Sequence, residues 1–293
     1  MQKTAAKKIQ SNDTNHHALK AGLIEAVQKR FTKSQPQIKP FITQLFNRAV
    51  YEDLEAYRAE DLARFIEDAF ATLQKRKSGE MLLRVETELE NRVTVIEVVN
   101  DNMPFLVDST MAALAEKGHD VRLVLHPILT VSRHKNGALT QLYGEQPPSG
   151  AQAQRESFIY IHIDAIDPAA IEELKAELTK TLNDVRLIVK DWKPMLHKLD
   201  AAIEKFKLSP PPIPVAELAE AIQFLEWLRS NNFTFLGLRE YKITGAGAKL
   251  SVEPVNKTGL GLLSDDSVGL LRRGSKPVTM TEELRHFLRQ TNP

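Results

Sequence analysis

The stretch from Phe158 to Asp164 constrains this chain more than any other. Side chains of a strand alternate between faces, so Ile159, Ile161 and Ile163 share one face and Phe158, Tyr160 and His162 share the other. The isoleucines are expected to face the helices of their own domain. The opposite face is partly apolar, and a patch of that kind marks a contact. Phe158, Tyr160 and His162 are therefore candidate interface residues, with the following segment or a second copy of the chain as the expected neighbour.

The elements around this strand give a recognisable order. Arg92 to Val99 is a β-branched run of strand length, and Phe105 to Lys117 is helical, with apolar Leu106, Met111 and Leu114 and a stop at Gly118. Val121 to Leu125 alternates, Pro127 interrupts, and Ile128 to Arg133 continues extended to a His134 to Gly137 turn. Residues 138 to 156 lack periodicity and read as an exposed loop inserted in a hairpin. Asp167 and Pro168 open a helix striped by Ile171, Leu174, Leu178 and Leu182, and Val185 to Val189 is expected to return as a strand. The sum is β-α-β-β-α-β, a ferredoxin-like α+β domain: a four-stranded antiparallel sheet with both helices on one face. A further helix is expected from Asp191 to Lys207, with Pro194 in its first turn.

The flanks differ in character. Residues 1–15 are polar and aperiodic, which predicts a mobile tail. Residues 16–84 form a helical unit, whose clearest stripe is Leu62, Phe65, Ile66, Ala69, Phe70 and Leu73, ending in Lys75, Arg76 and Lys77 as a helix C-terminus favoured by the dipole. The α+β domain with its last helix takes 85–208. Residues 209–214, Ser-Pro-Pro-Pro-Ile-Pro, are a stiff linker. Residues 215–293 open a second α/β unit with a helix that stops at Ser230 to Asn232, a strand from Phe233 to Tyr241, a turn at Thr244 to Gly247, and a short helix from Glu282 to Arg289. That is too little core for a free-standing domain, so this unit reads as truncated.

Composition narrows the chemistry. Lysine plus arginine number 39 and aspartate plus glutamate 38, a net charge of +1, which disfavours a nucleic-acid partner. The absence of cysteine removes disulfides, thiolate metal sites and cysteine nucleophiles. No run approaches the roughly 18 apolar residues of a membrane span, and the N-terminus lacks the apolar core of a secretory signal, so no membrane is expected and a cytoplasmic location is. Gly245-Ala-Gly247 and Gly259-Leu-Gly261 lack the strand-to-helix setting of a dinucleotide site, and the eight histidines form no ligand pair. No catalytic, cofactor-binding or metal-binding residue is assigned.

Two ordered motifs then carry a resemblance. Asn100-Asp-Asn-Met-Pro-Phe-Leu-Val-Asp-Ser109 resembles the hallmark stretch in the amino-terminal regulatory part of the large bacterial NAD-specific glutamate dehydrogenases. Phe224 to Leu228, then Asn232 to Tyr241, then Gly259 to Leu263, are similar to that family's next regulatory segment. The matches span about 85 to 265. The resemblance implies an ACT-like fold for 85–190 and a second ACT-like segment after the linker. It also implies that this chain is the inactive front of a longer oxidoreductase that uses NAD, whose catalytic half begins beyond Pro293. Its partners would be the rest of its own chain, a homo-oligomer and an amino-acid effector. The alternative is a stand-alone ACT-type sensing or oligomerisation module.

Amino-acid-binding ACT domains carry Asp-Arg-Pro-Gly in the loop entering the first helix. Here the turn supplies Asn100, Asp101, Asn102, Met103, Phe105, Asp108 and Ser109 as candidate effector contacts, with Asp101 or Asp108 facing an ammonium group and the helix N-terminus a carboxylate. Phe105 stands near the place of the glycine, where a bulky ring would fill the pocket. The alternative reading of Asp101, Asn102 and Pro104 is simple helix capping.

Overall fold

Strand Gln154–Asp164 lies between neighbouring strands over most of its length, and the first unit of the molecule is arranged around it. The computed structural model describes residues 16–31, 37–144, 146–244, 251–265 and 278–279, and the chain divides into two compact units, Met1–Leu182 and Asn183–Pro293. The predicted tail at 1–15, the turn at Gly245 to Gly247 and the helix at 282–289 lie outside the described residues.

In the first unit, helices 16–28 (α1), Ile38–Phe46 (α2), Tyr51–Leu54 (α3) and Ala59–Leu73 (α4) precede the sheet. Strands Leu82–Glu88 (β1) and Val93–Asp101 (β2) lead to helix Leu106–Glu116 (α5). Val121–Leu125 (β3), Ile128–Arg133 (β4), Leu139–Tyr143 (β5) and Gln154–Asp164 (β6) complete the sheet, and Pro168–Leu208 (α6) follows. The described sheet has six strands in the order β1-β2-β6-β4-β5, with β3 also pairing β6, and every pairing is antiparallel. β3 and β4 act as one strand broken at Pro127, which cannot donate to a ladder.

Two expectations are corrected here. The four-stranded ferredoxin arrangement is not what forms, because Val185 to Val189 is helix, part of the 41-residue α6, and not a returning strand. The reason is tertiary. Leu174, Leu178, Leu182, Val185, Ile188, Met195, Leu199 and Ile203 are all buried and follow one another at helical spacing, and this stripe overrides the local β preference of Val185, Ile188 and Val189. Pro194 consequently sits inside a helix, where Lys190 loses its i+4 donor. The edge beside β2, expected to hold that returning strand, is taken by β1, paired through Leu82↔Val99 to Glu88↔Val93. The second correction concerns 138–156, expected as a loop: it contains β5, which forms a hairpin with β4.

That hairpin is stitched to the end of α4. The Arg76 N–H donates to the Gly137 carbonyl at 3.0 Å and the Leu139 N–H to the Gln74 carbonyl at 2.8 Å. Gly137 has φ +89, and a Cβ there would lie 2.8 Å from the Arg76 carbonyl carbon, so only glycine fits this crossing.

The sheet is covered on both faces. Ile159, Ile161 and Ile163 share their face with Ile96 and Val98 of β2, and the buried side chains available to cover them are Leu106, Ala113 and Leu114 of α5 and Leu174, Leu178 and Leu182 of α6. Phe158, Tyr160 and His162 face the other way, with Val93, Val95 and Val99, into a core shared with Phe41, Phe65 and Phe70 of α2 and α4. Phe41 meets Phe158 edge-on at 5.5 Å between ring centroids, and Phe65 meets His162 at 4.7 Å. The cover of this face is thus the preceding helices of the same chain, where a following segment or second copy was expected.

Most polar groups in this apolar layer are paired. The Tyr57 hydroxyl lies 2.8 Å from His162 Nδ1, and His162 Nε2 lies 2.9 Å from the Tyr160 hydroxyl. On β2, Glu97 Oε2 accepts from Thr72 Oγ1 at 2.5 Å and from Arg84 at 3.3 Å. Burial pushes the Glu97 carboxyl up from its usual range, and Oε1 has no hydrogen-bond partner.

In the second unit, α6 runs to Leu208, and Val215–Trp227 (α7) ends in a wider turn, Leu228–Asn232. Short strands follow: Gly237–Leu238 (β7), Tyr241–Thr244 (β8), Ser251–Pro254 (β9), Leu260–Gly261 (β10) and Val278–Thr279 (β11). β7 pairs β10, and β9 lies between β8 and β11. The strand expected over 233–241 is therefore restricted to its second half. No helix among the described residues is long and apolar enough to cross a membrane.

His162 makes stability depend on pH in a defined direction. Burial, with Arg122 adding to it, pushes its imidazole down to about 3, from 6.5. Because the folded-state value is depressed, the unfolded chain binds the proton more readily, and stability present above 6.5 is lost as the pH falls toward 3. Unfolding by urea should therefore show about 2 kcal/mol less stability from this group at pH 5 than at pH 7. A His162→Phe variant should lack that component; an unchanged pH slope in the variant would show that the imidazole is not the cause.

Candidate functional site

The turn from Asn100 to Ser109 joins the end of β2 to α5. Asn100 is buried and its Nδ2 donates to the Asp101 carbonyl at 3.1 Å, while the Asn102 N–H donates to the Arg155 carbonyl at 3.0 Å. Met103 and Pro104 carry the chain to Phe105, whose carbonyl accepts the Ser109 N–H at 3.0 Å. Leu106 is buried and anchors the first turn of α5.

Phe105 adopts φ 70, ψ −2, the left-handed conformation, and is 42% exposed. Glycine takes this conformation freely, whereas a bulky residue there is strained. The position thus keeps the backbone that a glycine would supply but carries an exposed ring. Strain of this kind persists only where the surroundings fix it, here the buried Leu106 on one side and the end of β2 on the other.

Asp101 is already engaged. Its Oδ1 accepts from Arg76 Nη2 at 2.7 Å, and its Oδ2 accepts the Gly79 N–H at 3.1 Å. Arg76 is 3% exposed and its Nη2 also donates to Glu156 Oε1 at 2.9 Å. Glu156 takes Arg133 in a fork, Nε to Oε1 at 2.7 Å and Nη2 to Oε2 at 2.8 Å, and Gln154 adds a third donor to Oε1. Arg133 further donates to the carbonyls of Leu73 and Gly137. Burial alone would raise the Glu156 carboxyl, but the guanidiniums of Arg133 and Arg76 hold it below its usual range.

This cluster gathers the end of α4, the end of β2, the end of β4 and the start of β6 at one place. Sequence reasoning missed it and read Arg76 as part of a helix C-terminus favoured by the dipole. α4 instead stops at Leu73, Lys75 bridges to Ala138, and Arg76 turns inward. The available signal was Glu156, a charge in phase with Phe158, Tyr160 and His162 on a face that has to be buried.

Of the sequence-derived candidates, the turn brings Asn100, Asp101, Asn102, Met103, Phe105, Asp108 and Ser109 together at the N-terminus of α5. Asp101 points into the cluster, whereas Asp108 is exposed in the first turn of α5, where a carboxylate suits the dipole. Phe158, Tyr160 and His162 are buried in the first unit. Among the described residues no group of three histidine, aspartate or glutamate side chains is placed to hold a metal ion. Gly261, with φ +56, and Gly259 pack against the backbone of Leu236 and Leu263, so their lack of side chains serves a tight turn; Gly245 and Gly247 lie outside the described residues.

An antiparallel sheet with α5 and α6 available on one face, and a strand-to-helix turn leading into α5, is compatible with an ACT-type domain. The comparison with known proteins agrees: residues 41–178 match the family model described as glutamate dehydrogenase, ACT1 domain. The chain is 32% identical over 253 residues to the NAD-specific glutamate dehydrogenase of Halomonas elongata, covering 83% of this chain and 16% of that protein. It is 28% identical over 252 residues to the NAD-specific glutamate dehydrogenase of Pseudomonas aeruginosa, covering 80% of this chain and 15% of that protein. The chain is thus related to the ACT1-bearing, amino-terminal region of the large NAD-specific glutamate dehydrogenases, and it spans about a sixth of the length of these curated relatives.

The family match begins at Phe41, inside α2, so it includes the helices that cover the Phe158 face. The helices from α2 onward and the sheet thus fall within one family match, and the ionic cluster lies where they meet. Replacing Glu156 by glutamine should leave two buried guanidiniums facing a neutral amide and cost about 3–5 kcal/mol in urea unfolding. Asp101→Asn, at a partly exposed carboxylate, should cost clearly less. Equal losses would show that Glu156 is not the centre of the cluster.

Proposed function

We propose that this chain is the regulatory and assembly region of an NAD-dependent glutamate dehydrogenase, which converts L-glutamate and NAD to 2-oxoglutarate, ammonia and NADH. The observation that carries this reading is the match of 41–178 to the glutamate dehydrogenase ACT1 model, together with relatives that align over most of this chain and a small part of their own. The fragment itself holds no catalytic residue and no NAD site in this reading; both belong to the remainder of the parent, which acts in the cytoplasm as a homo-oligomer. The second unit is the start of a further ACT-like segment. Its α7 has no buried residue, and Phe224 and Trp227 stack on one another at the surface, as expected of a helix that completes its packing against more of the parent protein.

Within this reading, an amino-acid effector binds at the Asn100 to Ser109 turn. Asp101 is occupied by Arg76, so the group that meets the ammonium is Asp108, and the N-terminus of α5 meets the carboxylate. Phe105, 42% exposed, stands beside this turn.

Isothermal titration of the 293-residue chain with NAD should give no saturable heat, and the chain should not oxidise glutamate; micromolar NAD binding would contradict the reading. In a thermal-shift screen of amino acids, an effector should raise the midpoint through its preference for the folded state. Asp108→Asn should abolish the shift while lowering the unliganded midpoint only slightly, by the loss of one charge at the helix N-terminus. A shift that survives in this variant places the effector elsewhere.

A further inference from the structure

We propose that a second ligand site lies in the cleft beyond the β3–β4 break, and that it binds a small molecule with two anionic groups through Arg48 and Arg155. The cleft is about 610 Å³ and belongs wholly to the first unit. A volume of that order suits a small-molecule site. It arises from the sheet itself. Pro127 ends β3, and β5 pairs only with β4, so beyond the break the sheet edge has no further strand among the described residues. The C-terminal end of α2 closes over the gap, held there by Gln44 Nε2 donating to the Tyr143 carbonyl at 2.7 Å.

The walls are mixed, with Gln44, Asn47 and Thr130 beside the apolar residues, and the charge of the described lining is of one sign. Leu45, Val124 and Ile128 line the cleft with Arg48, His126 and Arg155, and no acidic side chain among the described residues lines it. His126 Nε2 is engaged by Ser157 Oγ at 2.7 Å, and burial first, Arg48 second, hold the imidazole below its usual range against the pull of Asp108. Elsewhere in this unit Arg58, Arg64, Arg76, Arg84, Arg122 and Arg133 are each paired with a carboxylate. Arg48 and Arg155 have no such partner among the described residues, a feature they share with exposed Arg92, which does not line the cleft. Two guanidiniums without a carboxylate partner among the described residues give a concavity a positive potential, and the guanidinium fork fits a carboxylate or a phosphate bidentately.

This site is distinct from the effector turn but joined to it. The backbone carbonyl of Arg155 accepts the Asn102 N–H, so a ligand that fixes Arg155 also fixes the strand that holds the turn. The inference rests on the cleft alone and does not require the glutamate dehydrogenase reading.

The test is isothermal titration of the 293-residue chain, at low ionic strength, with succinate, inorganic phosphate and, as an uncharged control, succinamide. It is repeated with Arg48→Gln, Arg155→Gln and Lys135→Gln, the last an exposed lysine on the β4–β5 turn. All three positions are exposed, so the fold should be retained. Saturable binding of succinate, tighter than that of phosphate, supports the proposal when Arg48→Gln and Arg155→Gln each weaken it about tenfold and Lys135→Gln does not; binding of phosphate without succinate would contradict the two-anion ligand. No binding of either anion up to about 10 mM, affinity unchanged in both arginine variants, or equal binding of succinamide would overturn it.

Discussion

β6 is apolar on both faces and flanked on both edges, so every other layer of the first unit exists to satisfy it. Its isoleucine face needs α5 and α6, and its aromatic face needs α2 and α4. Burying Phe158 and Tyr160 removes large rings from water, and each such ring dominates the local free energy. The helices before the sheet are consequently part of the domain, and the family match that starts within α2 has a physical explanation.

A strand of this kind invites slippage, because a one-residue shift exchanges its two faces and both are apolar. The charges prevent it. Glu156 meets Arg133 and Arg76 only in the observed register, and a slip would turn it into the isoleucine layer with no partner. Tyr57, His162 and Tyr160 act in the same sense further along the strand, since each polar atom of the imidazole finds a hydroxyl only in this arrangement. Buried ion pairs add little net stability compared with apolar packing, but removing one partner is costly, which is how they select one register over another. The same cluster fixes the end of β2 and thereby the turn into α5, so the candidate effector turn is rigid on its strand side and strained at Phe105.

Much of this was legible in the chain. The alternation from Phe158 to Asp164 marks two apolar faces, but the cover expected for the second, a following segment or a second copy, is instead supplied by the preceding helices; α4 and the start of α6 follow their apolar stripes closely. The motif from Asn100 to Ser109 marked both the strand-to-helix turn and the family. Two things were not legible by local pattern. Val185 to Val189 looks like a strand by residue type, and only the continuity of the stripe from Leu174 to Ile203 shows it to be helix. Leu82 to Glu88 alternates too weakly to stand alone, and becomes a strand because β2 offers it an edge. For the site, sequence named Asp101 and Asp108 as equivalents; what separates them is Arg76, 25 residues earlier in the chain, which only the fold brings to Asp101. The cleft at Arg48 and Arg155 is invisible to any motif, because its residues come from α2, the β3–β4 break and β6.

The central claim is that the N-terminal helices and the sheet form one cooperative unit closed on the Phe158 face. Native-state hydrogen exchange of the intact chain tests it most directly. The amides of residues 62–73 in α4 and 158–163 in β6 should exchange with the same free energy, that of global unfolding of the first unit. Exchange of α4 at a much lower free energy, with β6 still protected, would contradict the account and make the helices a separate, loosely docked domain.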